Sequence, residues 1–194
     1  MTTAVFASTY PKQIELRDGT QITLRPMESV DERALLEFFR LLPEEDRFYL
    51  KDDVTSQEVI RHWSRNINYF RILPLLAITD GRIVADATLH HKRPGSRKHA
   101  GEIRISVGAE FRGRGLGTKM VTELVEVAHN RGLELVVMEL VEGVESEAIN
   151  LAERLGFTKS AVLTGHVKDP QGDPHNLAIM ELLLDKWYNE WFEY

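Results

Sequence analysis

The segment Arg112-Gly113-Arg114-Gly115-Leu116-Gly117 lies between a strand-like run, Glu102 to Val107, and a helix-like run, Leu116 to His129. It constrains the fold more than any other stretch, because the chain must pass from extended to helical within a few residues. Glycine has no Cβ, so its backbone takes φ above zero and can approach a ligand closely. Amides at the start of a helix point outward unpaired, beside the positive end of the helix dipole. A strand, a glycine-rich turn and a helix in this order form a cradle for a pyrophosphate.

The rest of the chain supplies strands and helices around that turn. Residues 1–20 read as an arm with a short strand at Gln13 to Leu16, followed by a hairpin-type turn at Asp18-Gly19. Ile22 and Leu24 alternate with polar residues, and Pro26 closes that strand. Ser29-Val30-Asp31-Glu32 and Thr55-Ser56-Gln57-Glu58 have the form of capping boxes. The first opens a helix carrying Leu35, Leu36, Phe38 and Phe39 and stopped by Pro43. The second opens a helix to about Phe70. Phe38, Phe39, Trp63 and Phe70 are expected in the core.

Leu75 to Thr79 and Ile83 to His91 flank Asp80-Gly81, a hairpin signal, and Pro94-Gly95-Ser96 leads into a strand from Ala100 to Val107. After the glycine turn, Leu116, Met120, Val121, Leu124, Val125 and Ala128 recur at helical spacing, with Gly132 as C-cap. Leu133 to Val141 reads as a buried strand, and Ser146 caps a short helix ending at Gly156. Phe157 to Lys168 and Leu177 to Leu184 read as the last two strands. The order β-α-α-β-β-β-α-β-α-β-β belongs to the α/β (α+β) class, with a mixed sheet covered by helices. A length of 194 residues fits one domain over residues 21–185, with an arm (1–20) and an aromatic tail (186–194).

Composition removes several function classes. The net charge of −6 argues against a nucleic-acid partner, which needs a basic surface. Arg112 and Arg114 still give local positive charge for an anionic ligand. No apolar run approaches the ~20 residues of a membrane span. Met1 to Tyr10 lack a basic start followed by an apolar stretch, so no secretory signal is expected. The absence of cysteine excludes disulfides, thiolate metal sites and a cysteine nucleophile, and suits a cytoplasmic protein. No metal site is expected.

Three ligand-binding patterns compete for the glycine turn, beside the plain alternative of a tight strand-to-helix turn that happens to carry glycines. A P-loop needs G-x-x-x-x-G-K-[ST], and the residue five beyond Gly113 is Thr118. A dinucleotide fingerprint needs G-x-G-x-x-G, and Thr118 again stands at the third glycine. The pattern [QR]-x-x-G-x-[GA] is matched by Arg112, Gly115 and Gly117. Here the chain resembles the GNAT superfamily of N-acetyltransferases. Leu24-Arg25-Pro26 is similar to that family's first strand, Leu155-Gly156-Phe157 to the end of its last helix, and the order of elements matches over residues 21–185. The resemblance implies a mostly antiparallel central sheet flanked by helices. It also implies acetyl-CoA as cosubstrate, its pyrophosphate held by Arg112, Gly113, Arg114, Gly115, Leu116, Gly117 and Thr118. Leu42-Pro43-Glu44-Glu45-Asp46-Arg47-Phe48 and Leu151 to Phe157 are similar to GNAT domains of bacterial protein-lysine acetyltransferases that modify acyl-CoA synthetases.

The reaction implied is attack of a neutral amine on a thioester, directly within a ternary complex. An alkyl ammonium has a pKa of about 10.4, so deprotonating it at pH 7 costs roughly 4.6 kcal/mol, which a base or a desolvating pocket must offset. Glu102 stands where several GNAT lysine acetyltransferases carry their catalytic glutamate and is the expected base. The competing reading pairs Glu102 with Arg104 on a solvated face. His90 and His91 are secondary candidates. By resemblance, Ile105 and Val107 lie on a strand splayed from its neighbour, whose backbone pairs with the pantetheine amides, and an amide there polarises the thioester carbonyl.

One departure stands out. Aligned on Gly156-Phe157, the family's usual tyrosine acid falls at Ala152 and its asparagine at Glu145. A thiolate with a pKa near 8.5, by analogy with cysteine, leaves with little help. Ser146 and Asn150 are available donors if they face the cleft, and helix surface residues if they do not. Lys92, Arg93, Arg97 and Lys98 form a basic turn, read as a solvated loop or an attraction for the coenzyme's 3′-phosphate. The cluster Trp187, Tyr188, Trp191 and Phe192 is compatible with a homodimer contact, an acyl-pocket wall or a helix docked on the sheet. The acceptor is an amine, a small molecule or a protein lysine. Two other classes remain: a non-catalytic acyl-CoA-binding regulatory module, favoured by Ala152, and a nucleotide phosphotransferase, disfavoured by the failed P-loop match.

Overall fold

In the computed structural model the described residues are 10–91, 95–185 and 187. The elements are β1 (Lys12–Glu15), β2 (Gln21–Pro26), a 3-10 turn (Ser29–Asp31), α1 (Glu32–Leu41), α2 (Glu44–Phe48), α3 (Gln57–Arg65), β3 (Ile72–Thr79), β4 (Arg82–His90), β5 (Ala100–Val107), a 3-10 turn (Ala109–Phe111), α4 (Leu116–Asn130), β6 (Leu135–Val141), α5 (Ser146–Arg154), β7 (Thr158–Lys168) and β8 (Pro174–Leu183). The strands form an eight-stranded sheet in the order β1-β2-β3-β4-β5-β6-β8-β7. β1 with β2, β2 with β3, β6 with β8 and β7 with β8 pair antiparallel, and β5 with β6 pair parallel. The predicted order holds, with β1 ahead of it and the short α2 inserted after Pro43.

The chain divides into two compact units, Met1–Thr88 with Ile105–Met120, and Leu89–Arg104 with Val121–Tyr194. In the first, Leu35, Leu36, Phe38 and Phe39 of α1 bury one helical face against Met27, Leu42, Val54, Ile60, Leu76 and Ile83. Phe39 meets Phe38 at a ring-centroid distance of 5.2 Å and Trp63 at 6.2 Å. Asp80 and Gly81 both have positive φ (49° and 71°), which a two-residue hairpin with right-twisting strands requires.

Three details differ from the sequence reading. The first cap is Glu28 rather than Ser29: its amide donates to Asp31 Oδ2 at 2.7 Å and its side chain accepts from the Asp31 amide, a capping box one residue earlier than the sequence reading placed it. The second helix is capped by Ser56, whose hydroxyl accepts from the Val59 amide at 3.5 Å, while Thr55 bonds Asp53 instead. That helix ends at Arg65, so Phe70, expected in the core, lies beyond it and is 50% exposed.

In the second unit, β6 is buried almost throughout, and β8 runs antiparallel to it from Leu135↔Leu183 to Val141↔Leu177. β7 pairs with β8 as far as Lys168↔Pro174, so β8 begins earlier than Leu177. Gly132 (φ 72°) closes α4, and its neighbour Leu133 donates back to the Ala128 carbonyl at 3.1 Å. Gly156 (φ 90°) ends the turn after α5, with Trp187 Cδ1 3.8 Å from where a Cβ would stand. Trp187 is buried at 2% exposure, a docked position, whereas Tyr188, Trp191 and Phe192 lie outside the described residues, as do Lys92, Arg93 and Pro94. Among the described residues no helix is long and apolar enough to cross a membrane, and no group of His, Asp or Glu side chains could hold a metal ion.

A half-buried ion pair ties β2 to the 3-10 turn that leads into α1. Arg25 Nη1 and Nη2 each donate to Asp31 at 2.7 Å. Burial pushes the Asp31 carboxyl up, but Arg25 and the Glu28 amide outweigh it and hold the group below the usual carboxylate range. A carboxylate depressed in the folded state contributes stability above its unfolded pKa and loses it as pH falls through the folded value. Asp31→Asn is therefore expected to lower unfolding free energy by roughly 2 kcal/mol at pH 7, with the gap to wild type closing below pH 4. Urea melts at pH 7 and pH 3 check both.

Candidate functional site

β5 ends at Val107, and the chain turns into α4 over eight residues. The Gly108 amide donates to the Val84 carbonyl at 2.9 Å, which holds the strand end against β4. Gly113 (φ 68°) and Gly115 (φ 89°) take the left-handed conformation that glycine alone adopts without penalty. A Cβ at Gly113 would meet nothing within 4 Å. The first helical bond runs from the Lys119 amide to the Gly115 carbonyl at 3.1 Å. The amides of Leu116, Gly117 and Thr118 therefore precede the helical ladder. Leu116 and Gly117 form the first turn of α4, where the helix-like run was expected to begin, and the Leu116 side chain is fully buried in the core.

The two arginines of the turn are engaged inside the chain. Arg112 Nε donates to the Val107 carbonyl at 3.0 Å, and its Nη2 pairs with Asp46 of α2. Arg114 Nη1 pairs with Asp18 Oδ2 at 3.0 Å, and its guanidinium lies 5.3 Å from the Phe111 ring centroid. Hydrogen bonds from Thr20, with Arg114 beyond them, hold the Asp18 carboxyl below the usual carboxylate range. Within the first unit the structure thus brings Val107 and residues 112–118 together.

Glu102 belongs to the second unit. It pairs across to Val137 in the parallel ladder with β6, which spans Ala100–Glu102, while β5 runs on through Ile105 to Val107. Arg104 Nε donates to Glu102 Oε1 at 2.8 Å, and the Glu102 side chain is 23% exposed. The Glu102–Arg104 contact exists, so the carboxylate is half-buried beside a guanidinium. His91, 2% exposed, has Nε2 at 2.8 Å from the Lys98 carbonyl and closes the turn between β4 and β5.

Residues 33–157 match the model of the acetyltransferase (GNAT) family. The chain belongs to the GNAT acetyltransferase family. It is 39% identical over 74 residues to an uncharacterised N-acetyltransferase of Methanocaldococcus jannaschii, a match covering 37% of this chain and 32% of that protein. The matches cover a third or less of the curated relatives' lengths. The fold superposes on a ribosomal-protein-S5-alanine acetyltransferase from Vibrio fischeri with a TM-score of 0.76 at 13% identity, over 91% of this chain and 98% of that one. It also superposes on YncA, a putative acetyltransferase from Salmonella typhimurium with its cofactor acetyl-CoA, with a TM-score of 0.72 at 21% identity, over 84% and 94%.

Against the usual GNAT pattern, Ala152 is fully buried, and Glu145 accepts a hydrogen bond from the Val141 amide at 2.7 Å. Neither supplies a hydroxyl. Ser146 and Asn150 are exposed on α5.

The sequence reading missed Asp86. It lies in β4 within the run Ile83 to Leu89, is 9% exposed, and its Oδ1 is buried with no hydrogen-bond partner among the described residues. A lone acid inside that apolar run was the signal. Burial pushes its carboxyl up to about 7. The folded state keeps this proton where the unfolded chain has lost it, so folded Asp86 binds more protons and stability falls as pH rises from about 4 to about 7. Asp86→Asn is expected to remove that slope, leaving the variant more stable relative to wild type at pH 8 than at pH 5 by roughly 2–3 kcal/mol. Denaturant midpoints across that range measure it.

Proposed function

We propose that the protein transfers an acetyl group from acetyl-CoA to a primary amine, directly and within a ternary complex. The observation that carries this reading is the turn at Gly113 and Gly115, whose left-handed backbone opens onto amides ahead of the α4 ladder. Such a turn fits a pyrophosphate: open space stands over Gly113, and unpaired N–H groups and the positive end of the α4 dipole stabilise the anion. In this reading Arg112 fixes the end of β5 through the Val107 carbonyl, and Arg114 adds positive charge. The backbone of Ile105 and Val107, beyond the last pair of the β5–β6 ladder, binds the pantetheine arm like an added strand. Acetyl-CoA supplies the thioester carbonyl. Glu102 takes the proton that the acceptor ammonium must lose, and solvent reprotonates the departing thiolate. The reading invokes no metal.

Gly115→Glu places a carboxylate in the turn. The φ of 89° at this position costs any L residue roughly 1–2 kcal/mol, so the variant stays folded with a slightly lower melting temperature. It is expected to lose acetyl-CoA binding in titration calorimetry. Wild-type binding that ATP–Mg²⁺ does not reproduce supports the reading, and unchanged affinity in Gly115→Glu contradicts it. Glu102→Gln is expected to keep the coenzyme affinity and lose roughly 10²- to 10⁴-fold in thiol release with an amine acceptor.

Ala152 in place of the tyrosine supports a second reading, a regulatory module that binds acyl-CoA without turnover. Saturable binding with no thiol release on any amine, protein or small, would favour it.

A further inference from the structure

We propose that the β1–β2 turn forms one wall of the coenzyme site and that Arg17 is a third cation on it, holding the pyrophosphate. The inference rests on reading the glycine turn as the pyrophosphate site, and extends it to a segment that lies outside the residues matching the family model.

Three contacts fix the β1–β2 turn to the glycine turn. The Arg17 amide donates to the Arg114 carbonyl at 3.3 Å. Asp18 accepts from Arg114 through Oδ2 at 3.0 Å, while its Oδ1 accepts from the Thr20 amide at 3.0 Å, so one carboxylate braces both turns. The Arg17 side chain runs across Gly115: its Nε, Cγ and Cδ lie 3.5, 3.7 and 3.8 Å from the position of a Cβ there. Gly19 (φ 85°) makes the reversal that presents Arg17.

The charge balance then singles out Arg17. Arg112 and Arg114 each face a carboxylate, Asp46 and Asp18, so part of each guanidinium's charge is already compensated before a phosphate arrives. The Arg17 guanidinium is exposed and makes no hydrogen bond or ion pair among the described residues. An anion arriving at Gly115 gains a new charge-assisted bond from it without breaking one. Its planar fork suits two phosphate oxygens, which a lysine cannot match.

The test is calorimetry of the full chain with acetyl-CoA and with its analogue lacking the 3′-phosphate, at low and high salt. Arg17→Ala and Arg17→Gln, the latter keeping the stem, are each expected to weaken both ligands roughly tenfold and to flatten the salt dependence. Arg17→Lys is expected to recover part of the loss. Arg33→Ala, which removes an exposed charge of α1, controls for net charge and is expected to bind as wild type. Wild-type affinity in Arg17→Ala and Arg17→Gln would overturn the inference while leaving the glycine turn as the pyrophosphate site. A loss confined to the ligand bearing the 3′-phosphate would overturn the assignment to the pyrophosphate. An equal loss in Arg33→Ala would reduce the effect to net charge and overturn it too. No binding by the wild type would remove both readings.

Discussion

The passage from β5 into α4 is held by two arginines that reach back to other elements and by one buried leucine at the helix start. The strand must end, expose a row of amides and start a helix, and the exposed backbone between has no core to rest on. Arg112 solves half of this by donating to Val107 while pairing with Asp46, which ties the strand end to α2. Arg114 solves the other half by pairing with Asp18, which ties the turn to the β1–β2 hairpin. Leu116 then anchors the helix start in the core. The two glycines are free to take left-handed geometry because these three side chains carry the structural load.

Two aspartates of the first unit show how placement sets chemistry. Asp31 is buried beside Arg25 and a backbone amide, and stays ionised. Asp86 is buried, its Oδ1 has no partner among the described residues, and burial holds its proton to near neutrality. One carboxyl serves as a clamp between strand and helix. The other is a stability cost in the middle of an apolar strand, a position where a protein of this size has little reason to keep an acid unless that acid is used.

Much of this was legible in the sequence. The glycine turn, the Asp80-Gly81 hairpin, the strand Ala100–Val107 and the Gly132 and Gly156 helix ends all followed from local chemistry, in which glycine positions and hydrophobic period decide the outcome. The order of elements and the family followed from their combination. What escaped depends on contacts between distant residues. Asp31 serves the Glu28 amide and Arg25 of β2 together, and the engagement of Arg112 and Arg114 depends on acids 66 and 96 residues away. Arg17 carried no pattern of its own and gains interest only from where the β1–β2 turn is docked. Phe70 was misplaced because the stop signal at Asn66, whose side chain donates back to the His62 carbonyl at 2.8 Å, was read through.

On the proposed function, the amides from Gly113 to Thr118 bind the pyrophosphate of acetyl-CoA. Amide hydrogen exchange of the wild-type protein, with and without saturating acetyl-CoA and with ATP–Mg²⁺ for comparison, tests it most directly. Slowed exchange is expected in peptides covering 113–118 with acetyl-CoA and not with ATP–Mg²⁺. Protection elsewhere with these peptides unchanged would contradict it.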